Sequence, residues 1–333
     1  MLGHSERTAV VLASSSFAGS CFCNVLMANG VKVIGTVRSS SNLFIGERLY
    51  NLRNPLYREI RCDTATSLPE LTKVLNFKKV DWVIDFANQG MVAPSWDHPN
   101  VWYQTNLSAK TEFIRLLVED NWRGRYLKVS TPEVYGSSSD AIAVSAAINP
   151  STPYAISHAA FDQHLLAVHA NWGLDVVLAR FANFYGEGQQ LYRIIPRTII
   201  YGLLGRSLTL DGGGSSERAF IHRDDFCDAL LKCLTKGESG ATFHFSDPDC
   251  YSIRRIVEKC CDLIEKPFDD LVQLGIERVG KDQRYFLDCS TSHELLGWRA
   301  HIGLDQGLAR VVNWVLENLE TLKHQPLDYV LRK

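Results

Sequence analysis

Hydrophobic and polar positions follow two rhythms along the first half of the chain. Short apolar runs rich in β-branched residues, such as TAVVLAS, VKVIGTV and VDWVIDFA, predict buried strands. Between these runs, apolar residues recur at helical spacing, notably over 19–28, about 99–119 and 154–170. Continuous apolar strands separated by helices are typical of a parallel sheet that helices cover on both faces. We therefore predict an α/β fold with a doubly wound parallel sheet, whose ligands bind at the carboxyl ends of the strands.

The rhythm changes after Asn183. A loop and an apolar helix in GEGQQLYRIIPRTIIYGLLGRSL are followed by a glycine-rich turn, DGGGSS, and by shorter units. This change predicts a first domain over residues 1–182, to which 216–246 return. A smaller, mostly helical C-terminal lobe is expected over 183–333.

Composition narrows the possible partners. A chain of 333 residues with 46% hydrophobic and 22% charged residues is typical of a globular protein, and a net charge of −2 gives no electrostatic reason to expect nucleic acid or an anionic membrane. No segment reaches the roughly 18 apolar residues of a membrane-spanning helix. Nine cysteines without a C-x-x-C motif indicate reduced, mostly buried thiols and a cytoplasmic protein.

The segment ASSSFAG joins the first strand to the first helix. A dinucleotide-binding fold places G-x-x-G-x-x-G there, so that backbone amides and the helix N-terminus meet a pyrophosphate. Ala13, Ser16 and Gly19 occupy the three glycine positions, with Phe17 between the last two. Serine hydroxyls would compensate in part for the missing glycines. An ordinary strand–helix turn explains the segment nearly as well.

The ends of the next two strands carry polar groups. In TVRSSS, Arg38 is followed by Ser39 and Ser40, where a fold that prefers NAD offers an acid to the ribose. A guanidinium with neighbouring hydroxyls suits a 2′-phosphate, so the pattern favours NADP over NAD. The alternative is a solvated surface arginine. Asp63, which ends the third strand pattern, is placed to reach the adenine region.

Two segments carry candidate catalytic groups. VSTPEVYG contributes the hydroxyls of Ser130 and Thr131 and the carboxylate of Glu133, and STPYAISHAAFD places Tyr154 and His158 on one helix face. A tyrosine that accepts a proton from an alcohol needs a nearby cation. A lysine, with an ordinary pKa of about 10.4, would be charged at neutral pH, whereas a histidine, at about 6.5, is charged only in part. His158 would still bind a ribose hydroxyl but activate the tyrosine less; a capped helix with a surface histidine is the alternative.

Together these motifs resemble the extended short-chain dehydrogenases/reductases of the nucleotide-sugar epimerase/dehydratase group. The pattern is most similar to dTDP-glucose 4,6-dehydratases, and GTVRSSS to the cofactor turn of GDP-mannose 4,6-dehydratases. The resemblance implies a Rossmann-like dinucleotide-binding domain, a nucleotide-sugar lobe over 183–333 and a homodimer formed by the helices near 100–119 and 153–170. It also implies contacts by residues in DFANQG, ARFANFYGEG, GGGSSERAFIHRDD and the C-terminal ERVGKDQRY: Ala87 with the cofactor, and Gln89, Ser130, Asn183, Arg218 and Arg278 with the nucleotide-sugar substrate.

The chain departs from the dehydratase pattern Thr-Asp-Glu at one position. Thr131 and Glu133 are kept, but Pro132 replaces the acid that protonates the departing C6 hydroxyl. Glu133 favours proton abstraction at C5, and water, Glu133 or Ser130 would have to replace the acid. Three interpretations remain: a 4,6-dehydratase-type lyase, an epimerase that uses the same keto intermediate, and a nucleotide-sugar-binding protein with lost or weak catalysis.

Overall fold

A computed structural model describes residues 6–38, 47–276 and 286–331. Within these residues, a seven-stranded parallel sheet has the strand order β11-β7-β5-β4-β1-β2-β3. The chain runs outward from β1 in both directions, which confirms the predicted doubly wound sheet. The strands are β1 (Thr8–Leu12), β2 (Lys32–Val37), β3 (Tyr57–Arg61), β4 (Trp82–Asp85), β5 (Arg125–Ser130), β6 (Ala141–Ile142), β7 (Asp175–Phe181), β8 (Asn183–Tyr185), β9 (Leu208–Asp211), β10 (Glu217–His222), β11 (Thr242–Phe245), β12 (Cys250–Ser252), β13 (Val272–Gly275) and β14 (Phe286–Leu287).

Helices connect the strands, and several of them begin at a polar side chain that caps the helix. Ser16 accepts a hydrogen bond from the amide of Gly19, so the first helix begins at Phe17, earlier than the pattern predicts. The predicted helix over 99–119 contains a π-helical turn, Gln104–Ser108. The α-helices are α1 (Phe17–Ala28), α2 (Arg48–Asn51), α3 (Thr64–Ser67), α4 (Leu71–Val74), α5 (Pro94–Asp97), α6 (Pro99–Tyr103), α7 (Ala109–Glu119), α8 (Pro153–Trp172), α9 (Ile194–Leu203), α10 (Arg223–Lys236), α11 (Ile253–Leu263), α12 (Phe268–Leu271), α13 (Ser290–Leu296) and α14 (Leu304–Leu322).

The central sheet has a hydrophobic core on each face. On one face, side chains of α1 and α10 pack against the strands, with Phe22 and Phe226 buried between the layers. On the other face, α7 and α8 cover the sheet, with Phe113 and Phe161 buried there. Both faces are therefore covered, as the continuous apolar strands predict.

The second lobe has its own core, formed mainly by α9, α11 and α14. Two small sheets, β12-β10-β8 and β13-β9, accompany these helices. Apart from β10, their strands have three or four residues, which is too short for the sequence pattern to separate them from loops. Between these small sheets the chain returns to the first unit, where β11 pairs with β7 and forms one edge of the central sheet.

Cysteines and helix hydrophobicity complete the description of the fold. All nine cysteines are free, and eight are buried, as the scattered spacing predicts. Among the described helices, none combines the length and the apolar character that crossing a bilayer requires.

Candidate active site

A cavity of about 470 Å³ lies at the carboxyl ends of the central strands. Such an edge, where the strand order reverses beside β1, is the usual ligand site of a doubly wound sheet. The turns that follow β1, β2, β3 and β4 all reach the cavity. The predicted site residues that line it are Ala13, Ser16, Arg38, Asp63, Ala87 and Gln89.

The turn after β1 has a backbone shape that favours glycine although it contains none before Gly19. Ala13 has a φ of +57°, in the left-handed region. Its amide donates to Oγ1 of Thr36 at 3.0 Å, and the hydroxyl of Tyr57 donates to Ser14 Oγ at 2.9 Å, so both sides of the turn are fixed. A Cβ at Gly19 would lie only 2.5 Å from the carbonyl oxygen of Ala13.

The N-terminus of α1 therefore faces the cavity through a tightly closed turn. Its first amides suit a pyrophosphate, so this part of the site fits a dinucleotide. Phe17 points elsewhere: its ring is buried and stacks on Phe184 with a centroid distance of 5.7 Å. Its contribution to cofactor binding would come from the backbone.

The end of the cavity beside β2 and β3 carries one cation and one carboxylate among the predicted residues. Arg38 is exposed and lines the cavity. The carboxylate of Asp63 accepts from the amide of Ala65 at 2.9 Å and caps α3. Ser39 and Ser40 lie outside the described residues, so their predicted contact with a 2′-phosphate stays a prediction.

The four predicted catalytic residues lie together where the segment after β5 meets the first turns of α8. Thr131 shares a hydrogen bond with the phenol of Tyr154, and its Oγ1 accepts from the amide of Glu133 at 3.3 Å. Burial and the charge of Glu133 raise the pKa of Tyr154, while the hydrogen bond with Thr131 opposes that shift. The tyrosine ring packs on the ring of His158 at 4.7 Å.

His158 is a buried residue, so the alternative of a surface histidine is wrong. Its side chain is 2% exposed, and in the part of the chain that the structure describes neither ring nitrogen has a hydrogen-bond partner. Burial, followed by the charges of Lys128 and Lys110, holds its pKa well below the ordinary value. The ring is therefore neutral at physiological pH and has two unsatisfied nitrogens, which fit a hydroxyl-bearing ligand such as a ribose.

Ser130 faces the opposite direction from its neighbour Thr131. Its hydroxyl donates to Oδ2 of Asp162 at 2.7 Å, and the same oxygen accepts from Arg180 at 3.0 Å. Successive side chains of a strand alternate between faces, which explains why β5 sends only one of the two hydroxyls to the site. Ser130 therefore belongs to a buried network under α8.

The predicted substrate residues of the second lobe lie on paired strands. Asn183 begins β8 and pairs in register with Phe220 of β10, the strand that also carries Arg218. Arg218 is 9% exposed and donates to the carbonyl of Glu217 at 2.7 Å. Arg278 lies outside the described residues, and its predicted contact stays a prediction.

Comparison with known proteins identifies the family. A model of the NAD dependent epimerase/dehydratase family matches residues 9–245. The chain belongs to this family.

Relatives within the family include nucleotide-sugar 4,6-dehydratases. The chain is 29% identical over 267 residues to a dTDP-glucose 4,6-dehydratase of Xanthomonas campestris pv. campestris, covering 74% of this chain and 76% of the relative. The chain is 32% identical over 232 residues to the dTDP-glucose 4,6-dehydratase of Haemophilus influenzae, and the match covers 66% of this chain and 65% of that relative. The structure of DesIV, the dTDP-glucose 4,6-dehydratase of Streptomyces venezuelae with NAD and TYD bound, superposes with a TM-score of 0.84 at 29% identity, over 94% of this chain and 98% of that chain. These likenesses confirm the predicted family and its dehydratase-like pattern.

Motif reasoning missed the C-terminal segment of this family member. Within 325–330, every residue except Leu327 lines the cavity together with the turns of the central sheet. Nε2 of Gln89 donates to the hydroxyl of Tyr329 at 2.7 Å, and the tyrosine ring meets Tyr192 edge to face at 5.3 Å. We call 325–330 the strap. In the sequence, Tyr329 is the one sign that this polar segment lines a cavity.

The sequence motifs also do not reveal a chain of polar contacts that joins the loop after β4, the π-helical turn Gln104–Ser108 and α8. Asn106 accepts from the amide of Gln89 at 2.7 Å and donates to the hydroxyl of Ser157 at 3.0 Å. Ser157 in turn donates to the carbonyl of Tyr154 at 2.7 Å. This chain connects the cavity to the catalytic helix. The asparagine lies at the π-helical turn, a feature that often marks functional sites.

Proposed function

We propose that the protein is an NAD(P)-dependent nucleotide-sugar 4,6-dehydratase-type lyase. It would oxidise a hexose transiently at C4, abstract the C5 proton and return the hydride after water is lost. The observation that carries the proposal is the hydrogen bond between Thr131 and Tyr154, with Glu133 beside it at the strand edge. The dehydratases among the relatives support the same class.

Residues already described would hold the cofactor. The α1 N-terminus, with Ser16 and the close approach at Gly19, would meet the pyrophosphate, and Asp63 the adenosine. The unsatisfied ring nitrogens of His158, together with Tyr154, would meet the nicotinamide ribose. When bound, the cofactor supplies the hydride acceptor.

Protein side chains handle the protons. Tyr154, oriented by Thr131, accepts the proton of the C4 hydroxyl as the C4 hydrogen leaves as hydride. The resulting ketone acidifies the C5–H bond, so Glu133 can remove that proton. The C6 hydroxyl departs as water and the C5–C6 double bond forms. The hydride then adds at C6 while solvent, through Glu133, returns a proton to C5, and Tyr154 releases the proton that it took from the C4 hydroxyl.

The missing acid is the main chemical problem of this site. Pro132 offers no proton, and Ser130 donates to Asp162 instead. We therefore assign both roles to Glu133: it takes the C5 proton and delivers it to the departing C6 hydroxyl. One carboxyl group then balances the elimination without a second acid.

Substrate recognition belongs to the second lobe. Within the proposed nucleotide-sugar lobe, 183–333, Asn183 and Arg218 would contact the sugar diphosphate, with Arg278 added from beyond the described residues. Gln89 and Ala87, from the proposed dinucleotide-binding domain over 1–182, would close the other side of the ligand. Residues 216–246 return to that first domain through β11.

We further propose NADP as the preferred cofactor, a cytoplasmic setting and a homodimer. Arg38 reaches the cavity where a 2′-phosphate would lie. For the dimer, α8 presents Ile156, 41% exposed, and Trp172, 62% exposed. Titration with NADP and NAD tests the first point, since tighter NAD binding would contradict it, and light scattering tests the dimer.

An epimerase is the second candidate, because Pro132 removes the acid that dehydration uses. The purified protein, with cofactor, is incubated with UDP-, dTDP-, GDP- and CDP-hexoses in deuterated water, and products are followed by mass and NMR. A product lighter by one water supports the dehydratase, and a changed configuration without mass loss supports the epimerase. Binding with neither would leave a nucleotide-sugar-binding protein. Glu133→Gln should abolish deuterium exchange at C5, and Tyr154→Phe should abolish the oxidation.

A further inference from the structure

Three charged side chains are completely buried beneath the proposed site. Asp85 at the end of β4, Lys110 on α7 and Lys128 on β5 are each 0% exposed. Nζ of Lys110 lies 2.9 and 2.7 Å from the two carboxylate oxygens of Asp85, and Nζ of Lys128 lies 3.8 Å from one of them. Two ammonium groups thus share one carboxylate. The group, which we call the lysine cluster, carries one excess positive charge when both ammonium groups are protonated.

The cluster faces the site through Asn88. The side-chain oxygen of Asn88 accepts from Lys110 at 2.9 Å and from Lys128 at 2.8 Å, and Asn88 lines the cavity. On the helix side, both ammonium groups lie near the ring of Phe161, at 5.4 and 5.9 Å from its centroid. Phe161 follows His158 by one helical turn. The excess charge therefore lies between the cavity floor and the helix that carries Tyr154.

The titratable groups next to the cluster do not neutralise this charge, although at Tyr154 the charge of Glu133 opposes it and that of Arg193 adds to it. Tyr126 donates its hydroxyl to Asp85 at 3.0 Å and is neutral. Asp162 is already paired with Arg180 at 3.0 Å. His158 is neutral, and the nearby lysine charges help to keep it so. Burying a surplus ammonium is costly, so a function at the site would account for its presence.

We propose that Lys128 is a positioning residue that supplies, from beneath Asn88 and His158, the positive charge that His158 lacks. This inference rests on the proposed function. The excess charge favours the phenolate of Tyr154 during oxidation of the sugar. It also disfavours the cationic, oxidised nicotinamide ring relative to the neutral, reduced ring, and so favours hydride removal from the sugar.

The excess charge can be tested by cofactor binding alone, without enzymatic turnover. Dissociation constants of oxidised and reduced cofactor, measured with NAD and NADP for the full-length protein, are compared at pH 6. At that pH Lys110, whose pKa is lowered by burial to about 7, is protonated. Lys128→Met should tighten the oxidised form relative to the reduced form by on the order of tenfold, as expected for one charge at about 10 Å. Asp85→Asn should shift the ratio the other way, and the double variant should restore it.

The control is a lysine in a different setting. Lys78, whose side chain is 66% exposed, is replaced by Met and should leave the ratio unchanged. If Lys128→Met changes the affinities for both cofactor forms equally, the inference is overturned. Should Asp85→Asn fail to fold, Lys128→Met and the double variant decide the question, because they differ by one charge with Met at 128 in both.

The pH profile of sugar oxidation is the second measurement. The limb on which the rate rises as Tyr154 loses its proton should move to higher pH by about one unit in Lys128→Met and to lower pH in Asp85→Asn. A merely structural role would lower the rate in both variants with the limb unmoved. If the wild-type protein turns over no nucleotide sugar, the proposed function fails, while the cofactor ratios still decide the role of Lys128.

Discussion

Replacing Ala13 by glycine should stabilise the protein, although alanine-to-glycine changes usually do the opposite. The φ of Ala13 is +57°. Holding an L-residue there costs roughly 1–2 kcal/mol, which glycine avoids. Glycine loses about 0.7 kcal/mol through the greater entropy of the unfolded chain, and removing a half-buried methyl costs about 0.4 kcal/mol. The net expectation for Ala13→Gly is a gain of about 0.5 kcal/mol.

The matched control is Ala167, an exposed alanine within α8. Ala167→Gly should lower the free energy of unfolding by about 1 kcal/mol, because helical glycine lacks any conformational advantage. The two substitutions, identical in chemistry, should therefore differ by about 1.5 kcal/mol and have opposite signs. Urea denaturation, followed by both fluorescence and circular dichroism, measures the difference.

The same variant tests the cofactor loop. Removing the methyl group from the cavity wall lets a pyrophosphate approach the backbone more closely, so Ala13→Gly should also bind the dinucleotide more tightly. If Ala13→Gly destabilises the protein as much as Ala167→Gly, the left-handed backbone at this turn is refuted. The turn after β1 would then not have the backbone conformation of a glycine loop.

Three further outcomes are expected. Burial alone would raise the pKa of Glu187, but its hydrogen bonds to a histidine and to its own backbone, with nearby arginine charge, lower it to about 2 from 4.5. A carboxylate whose pKa is lowered by folding stabilises the folded state at pH values above its unfolded pKa. Glu187→Gln should therefore lower the free energy of unfolding by roughly 3 kcal/mol at pH 7. In urea titrations, the difference between wild type and variant should disappear as the pH falls from about 4.5 to 2. Asp225→Ala should cost roughly 3 kcal/mol by the same assay, since its buried carboxylate accepts from two amides at 301–302, at 3.0 and 2.9 Å, with Asp225→Asn costing less. Tyr329→Phe, which removes the hydrogen bond from Gln89, should speed cofactor release about fivefold in stopped-flow measurements; an unchanged rate would exclude the strap from cofactor retention.

The sequence predicts the central sheet well because its signal is local. Each buried strand is a short apolar run, and each turn that lines the cavity follows such a run directly. Ala13, Arg38, Asp63 and Ala87 therefore reach one cavity, as their positions after the strands predict. Strand alternation explains the misplacement of Ser130, because a motif written as letters does not show which of two adjacent hydroxyls faces the ligand.

Departures from the family pattern become intelligible only through long-range contacts. Glu187 lies in ARFANFYGEG, which resembles the family motif R-x-x-N-x-Y-G-P, at the place of the motif's proline. In the fold its carboxylate contacts His222 at 3.1 Å and Arg310 at 2.8 Å. Arg310 follows Glu187 by 123 positions in the chain. No local sequence pattern predicts that Glu187 contacts these two residues. The substitution therefore contributes to the packing of the second lobe and need not weaken catalysis.

The role of Lys128, like that of Glu187, depends on contacts between residues that are far apart in the sequence. In the segment RYLKVST it occupies a strand position whose alternation gives no reason to expect a buried charge. Its partners come from β4, α7 and the loop after β4, so the lysine cluster exists only once the sheet has formed. A histidine at 158, taken alone, suggests weakened redox chemistry. With a surplus ammonium buried beneath it, the same histidine is compatible with an active site whose cation has moved from the helix to the sheet.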